Sequence, residues 1–319
     1  MVRPLCFCVF DLTFVTFSSI RVDMRRLTRE QRVRVVAALV EGCSVRATVR
    51  MTGVSKPTVL KLLVDLGRAC SEFQDRTLRN LPCKRLECDE AWAFVYAKQK
   101  NVRGAIAAPE GAGDVWTWVA LDAETKLVAS WLVGPRDLLA AEDFMRDLCG
   151  RLASRVQITT HGHKAYVQAV ESSFGADVDF AQLVKLYGAD RPGEARYSPA
   201  SFVSSRKIAV TGEPNMELVS TSYVERQNLS LRMHMRRFTR LTNGFSKKFE
   251  NHAAAVAIHF CFYNFARVHQ TLRVTPAMAA GVSDHVWEIE EIVALLEATE
   301  PSASDVAARS SALAAVTGG

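Results

Sequence analysis

Along residues 24–70 the apolar positions recur every three to four residues, the spacing of amphipathic helices. Val33, Val36, Ala37 and Val40 place a first helix after Thr28, stopped at Gly42. Ser44 opens a short helix over VRATVRM, and Thr52, Gly53 and Val54 make a tight turn. Ser55 then caps a helix beginning KPTVLKLLVDLG, where Pro57 lies in the first turn and its missing N–H goes unused. Helix, glycine-bearing turn and capped helix form the helix-turn-helix pattern. Lys56, Thr58 and Lys61 are expected to face DNA, while Val59, Leu62 and Leu63 hold the helix to its own core. Gly67 and the polar run 71–80 read as the start of a linker, assigned to 71–84.

From residue 85 the period changes to two. RLECDEAWAFVYA (85–97) predicts a strand with Leu86, Cys88, Trp92 and Phe94 on one face and Asp89 on the other, so that neighbouring Glu90 points away from Asp89. VWTWVALDAETKLVASWLVG (115–134) predicts two strands joined by a hairpin at 122–125. Asp137 caps a helix with Leu138, Phe144, Met145, Leu148 and Leu152 at helical spacing, and RVQITTHGHKAY (155–166) gives a fourth strand, a glycine turn and another helix.

Three antiparallel strands, a helix, a strand and a helix describe a ribonuclease H-like core. The fold class is therefore α+β: a helix-turn-helix domain at 24–70, a mixed-sheet ribonuclease H-like core with helices at 85–240, and a C-terminal helical segment at 241–298. The loop-rich stretch 187–220 reads as an insertion within the core. SYVERQNLSLRMHMRRFTR (222–240) contains no glycine or proline and reads as one basic helix headed by Glu225. FSKKFENHAAAVAIHFCFYNFAR (245–267) reads as a long amphipathic helix, and 299–319, small and polar, as a disordered tail.

Composition changes this picture little. The 319 residues carry a formal net charge of +6, ordinary for a globular protein. The distribution is more telling: positive charge gathers at 21–34 and 226–248, which points to a nucleic-acid face. The eight cysteines form no C-x-x-C pair, so no zinc site is expected, and reduced thiols suit a cytoplasmic, nucleoid-associated protein. In the leader 1–23 an apolar run is interrupted by Asp11 and is too short to span a membrane; Met24 is the expected start. No phosphate-cradling G-x-x-x-x-G-K-[ST] loop occurs, which argues against an NTPase.

A phosphodiester-cutting site of the ribonuclease H-like kind draws carboxylates from distant elements onto two Mg²⁺ (or Mn²⁺) ions roughly 3.5–4 Å apart. Asp89 on the first strand and Glu225 on the late helix fit two of the three positions. At the third, after the fourth strand, the sequence offers His161. These three are the expected catalytic and metal-binding residues.

Several long stretches resemble the DDE-type insertion-sequence transposases, nearest to the insertion sequence 1 family: CDEAWAFVYAKQKNV, GDVWTWVALDAETKLVASWLVG, TTHGHKAYVQAVE, SYVERQNLSLRMHMRRFTRLTNGFSKK and YNFARVHQTLRVTPAMAAGVSDHVW. The resemblance spans about 24–298. It implies Asp89 as the first catalytic acid, Glu225 as the last, and Arg232, seven residues on, as a basic residue holding the DNA end. Tyr263, Asn264, Arg267 and His269 are implied to support the active-site helix. Arg236, Arg237 and Arg240 join Arg232 as expected phosphate contacts.

The implied partners are double-stranded DNA (terminal inverted repeats and target) and further copies of the chain in a homo-oligomer. The implied reaction is DNA strand cleavage followed by strand transfer. In that family the stretch reads TTDGHKAY, so His161 stands where the second aspartate belongs. Imidazole is a poor Mg²⁺ ligand, and strongly reduced activity is expected. The alternatives are a catalytically inactive DNA-binding remnant or repressor, and a ribonuclease H-like nuclease without strand transfer.

Overall fold

The computed structural model describes residues 27–104, 106–188, 202–239 and 243–299. The leader 1–23, residues 189–201 of the expected insertion, Arg240 and nearly all of the expected tail lie outside the described residues.

Three helices come first: α1 (Arg29–Val40), α2 (Val45–Thr52) and α3 (Lys56–Thr77). Thr28 opens α1 with a capping box, accepting from the Gln31 N–H while the Gln31 side chain accepts from the Thr28 N–H. Ser44 and Ser55 cap α2 and α3 as their sequence positions imply. Gly53 ends α2 with φ +71, a left-handed conformation that costs glycine nothing.

The expected linker does not exist as one, because α3 continues to Thr77 with Ser71 and Gln74 buried. Gln74, one of the polar residues that read as linker, is tied into the interior: its Nε2 donates to the carbonyls of Cys70 and Ala257. The N-terminal helices are accordingly not a separate unit. One contiguous core runs from Val35 on α1 through the sheet to Leu296.

The sheet has six strands: β1 (Arg85–Val95), β2 (Gly113–Asp122), β3 (Val128–Gly134), β4 (Gln157–His161), β5 (Asp179–Tyr187) and β6 (Phe202–Thr211), in the order β3-β2-β1-β4-β5-β6. The pairs β1–β2, β2–β3 and β5–β6 are antiparallel, and β1–β4 and β4–β5 parallel. This mixed sheet with flanking helices is compatible with a ribonuclease H-like core. β6 overturns part of the expected insertion, since 202–211 adds an edge strand to β5. Its side chains are nearly all exposed, so it lacks the half-buried alternation that betrays a strand in sequence.

Helices cover both faces of the sheet. Glu90 pairs with Trp118, and Trp118 packs on Phe144 of α5 (Leu138–Cys149) and Tyr166 of α6 (Ala165–Phe174). Asp89 is on the other face, in register with Val119 and Trp131; Trp131 packs on Phe260 of α8 (Phe249–Cys261), and α7 (Ser222–His234) lies against β1. The five-residue π-helical turn Phe262–Ala266 follows α8. Three short or terminal helices complete the described chain: α4 (Gln99–Val102), α9 (Pro276–Ala279) and α10 (Ile289–Thr299).

α3 and α8 approach each other at Gly67, where a Cβ would lie 2.5 Å from the Ala254 Cβ and 2.6 Å from its Cα. That contact explains a glycine in mid-helix, a position it otherwise weakens by about 1 kcal/mol. No described helix is long and apolar enough to cross a membrane.

Candidate active site

Asp89 lies mid-way along β1, the strand between β2 and β4. His161 is the last residue of β4, the parallel neighbour of β1. Glu225 occupies the first turn of α7, which crosses the Asp89 face. Three residues spread over 137 positions of sequence thus meet at His161 Nε2, which lies 3.5 Å from Asp89 Oδ1 and 3.2 Å from Glu225 Oε1.

Alternation along β1 separates its acids as expected. Glu90 points to the opposite face and pairs with Arg136 at 3.0 Å. Asp122, in the hairpin turn, accepts from the Thr125 N–H and Oγ1.

Four further residues complete the site, and the sequence did not single them out. Lys185 on β5 hydrogen-bonds Glu225 Oε1, and Thr221 Oγ1 donates to the same oxygen at 2.6 Å. Asn228 Nδ2 donates to Asp89 Oδ2 at 2.7 Å. Glu87, buried two residues before Asp89 on the same face, accepts the Tyr223 and Val224 N–H groups at 2.8 and 3.0 Å. α7 has no side-chain cap of its own. Glu87 supplies it from β1 and so fixes the helix against the strand that carries Asp89. Asn228 was legible in principle, being one turn from Glu225. Lys185 was not, because β5 was not read as a strand.

Charge in the site is compensated from within. Burial opposes a proton on His161, but the hydrogen bond to Glu225 and the charge of Asp89 outweigh it, so its pKa is raised. Glu225 is held down at about 2, first by the hydrogen bond from His161 and then, against burial, by Lys185 and Thr221. Burial raises Asp89 more than the His161 charge lowers it. His161 and Lys185 therefore approach the two acids from the other elements of the site. Nε2 itself lies between the two carboxylates. Among the described residues no group of three or more His, Cys, Asp or Glu side chains is arranged to hold a metal ion.

The basic helix expected over 222–240 breaks at His234, and a 3-10 turn, Arg236–Phe238, follows. The break turns two neighbouring arginines in different directions. Arg236 is exposed, whereas Arg237 donates from Nη1 to Ser246 Oγ at 2.7 Å, and burial pulls it down to about 10. Arg237, expected on phosphate, is engaged inside the protein. Arg232 is half-buried.

On α3, Lys56 is exposed, Thr58 Oγ1 shares a hydrogen bond with Ser55 Oγ, and Lys61 pairs with Asp65, which reduces its pull on an anion. Tyr263 and Asn264 do not support α7. The Tyr263 hydroxyl donates to the Lys126 carbonyl, and Asn264 exchanges two hydrogen bonds with the Val128 backbone, which clamps the β2–β3 hairpin.

No protein-family model matches the sequence, and no curated protein matches it. Among solved structures, the chain is similar to a piggyBac transposase in a synaptic complex with hairpin DNA, at 12% identity over 87% of this chain and 73% of that one, with a TM-score of 0.42.

Proposed function

We propose that the chain is a transposase-type protein of double-stranded DNA, with a strand-cleavage centre at Asp89, His161 and Glu225 that is strongly impaired by the histidine. The observation carrying this reading is the convergence itself. The two carboxylates and the residue at the third position come from β1, α7 and the end of β4, and meet at 3.5 and 3.2 Å. Open sheets gather their chemistry at strand ends in this way. The helix-turn-helix reading of α2 and α3, the insertion-sequence assignment, the terminal-repeat and target DNA partners and a homo-oligomer belong to the same proposal.

The donor set does not fit two Mg²⁺ ions. Two dications are held by several anionic oxygens, whereas this site offers two carboxylates and an imidazole, with Glu225 already bonded to Lys185, Thr221 and His161. What the chain's own residues do is set the His161 imidazole between two acids. Restoring a carboxylate would complete the acid trio and supply the charge that draws divalent cations.

A second reading, a DNA-binding protein with no cleavage at all, is favoured by Lys185. Its ammonium on Glu225 would persist after His161 is replaced.

The experiment is strand cleavage and strand transfer with end-labelled duplexes bearing the element's terminal repeats, in Mg²⁺ and in Mn²⁺, comparing the native chain with His161→Asp. The native chain is expected to act feebly and the variant strongly in Mg²⁺. Equal Mg²⁺-dependent activities would sink the impairment. Binding without cleavage by either protein supports the second reading, and cutting without joining supports a plain nuclease.

A further inference from the structure

Away from the acid cluster, a cleft of about 830 Å³ opens where the N-terminal helices meet the end of α7 and the start of α8. Its walls come from four places in the sequence: the α1–α2 turn, the first turns of α3, the 3-10 turn after α7, and residues 243–259. The floor is apolar, with Leu39, Leu63 and Ile258. The rim is basic.

Arg46, Lys56, Arg236, Lys247 and Lys248 all line the cleft, all are exposed, and none has an ion-pair partner among the described residues. The lining contains no aspartate or glutamate. Other basic side chains on these helices are neutralised by an acid, Arg68 by Glu250 and Lys61 by Asp65. Five unmatched cations around one cleft repel each other, and among the described residues no acid compensates them.

Two local features add polar groups. α8 begins at Phe249, directly after Lys248, with no side-chain cap, so its first N–H groups and positive dipole end stand at the cleft. His259, 6% exposed, also lines the cleft, and its Nε2 has no hydrogen-bond partner. Each is minor alone. Together with the unmatched rim they describe a receptor for a polyanion.

We infer that this cleft seats a stretch of phosphodiester backbone, one DNA strand held between the N-terminal helices and α8. The inference rests on the DNA-acting reading and gives it a specific binding surface. It also joins residues that the sequence had assigned to two separate contacts, Lys56 on α3 and Arg236 beyond α7.

The geometry fixes a distance. α7 runs from the acid cluster to the cleft, and nine residues separate Glu225 from His234 at its cleft end; at a rise of about 1.5 Å per residue this is roughly 14 Å. At about 3.4 Å per base pair, the clamped backbone lies about four base pairs from the acid cluster. Lys247 and Lys248, which the sequence placed only within the broad basic stretch 226–248, become backbone-holding residues.

The test uses the full chain and a fluorescent duplex of random sequence, with binding followed from low salt to about 0.2 M. The cleft variant is Arg46→Gln/Lys247→Gln/Lys248→Gln. The control, Arg68→Gln/Arg146→Gln/Arg155→Gln, removes the same charge at arginines that are paired with acids and do not line the cleft.

Each phosphate contact contributes about 0.9 to the slope of log affinity against log salt, so the cleft variant should lose roughly 2–3 from that slope and bind about 100-fold or more weakly near 0.1 M. The control should stay within a few fold of native. A cleft variant with the native slope and affinity overturns the inference and leaves the DNA-acting reading standing. A native chain that binds no duplex at all overturns both.

Discussion

His161→Asp is the substitution on which the reading of the site turns, and its effect on stability can be worked out without any activity. In the native chain Nε2 faces Asp89 at 3.5 Å and Glu225 at 3.2 Å, and Glu225 sits at about 2 against an ordinary carboxylate value near 4.5. Taken at face value that depression is worth about 3 kcal/mol. The Glu225 side chain is 38% exposed, however, and solvent screening reduces the figure to about 1–2 kcal/mol.

Replacing the His161 imidazole by a carboxylate removes the first cause of that depression and adds a repulsion of similar size between acids that share one site. The variant is therefore expected to be about 2–4 kcal/mol less stable than native in chelator. Divalent cations should return much of this, since a ligand at 100 times its Kd adds about 2.7 kcal/mol. The assay is urea unfolding of both proteins in chelator and in millimolar Mg²⁺. The variant should start lower and recover with Mg²⁺, while the native midpoint stays put. Native-like stability of the variant in chelator, or an equal gain by the native chain in Mg²⁺, would refute the argument.

Other expectations follow from the same geometry. Glu87→Ala strands two N–H groups at the start of α7 and should cost about 2–4 kcal/mol, with hydrogen exchange accelerated first at Tyr223 and Val224; unchanged protection there would show that α7 is held otherwise. Gly67→Ala gains about 1 kcal/mol in helix propensity but drives a methyl into the Ala254 backbone, so a net loss of about 1–3 kcal/mol is expected from denaturant midpoints, and a stabilised variant would contradict the α3–α8 contact. His252 and His259 are buried and held neutral, with burial pulling both down to about 3. The unfolded chain takes up these protons near pH 6.5 and the folded chain only near 3, so stability falls as pH drops through that window. Between pH 7 and 5 the two together should cost about 4 kcal/mol. A flat profile of urea midpoint against pH over that range would contradict their burial as neutral groups.

The elements were largely legible because each carries its own local signal. Thr28, Ser44, Ser55 and Asp137 announced helix starts with side chains that accept from their own first turns, and the structure shows all four bonds. Alternation along β1 separated Asp89 from Glu90 correctly, since a side-chain period of two follows from backbone geometry alone. The positions of Asp89, His161 and Glu225 at one site also followed from the order of strands and helices.

Failures came where a residue's role depends on a partner far along the chain. Polar residues 71–77 read as linker because nothing local shows that Gln74 is satisfied by a carbonyl of α8. β6 went unread because both its faces are exposed and only its pairing with β5 makes it a strand. Arg236 and Arg237 read alike, until the break after His234 sent one outward and the other onto Ser246. Lys185 reaches Glu225 across 40 residues, and Glu87 caps a helix that starts 135 residues later; neither separation leaves a periodic trace.

By itself, then, the sequence determined the helices, most strands and the identity of the three meeting side chains, because caps, periodicity and strand order act locally or by simple topology. Only the tertiary structure decided how the charges at that meeting are settled. Ionisation is fixed by distances of a few ångströms between groups far apart in the chain, and at those distances His161 faces both Asp89 and Glu225 while Lys185 bonds Glu225.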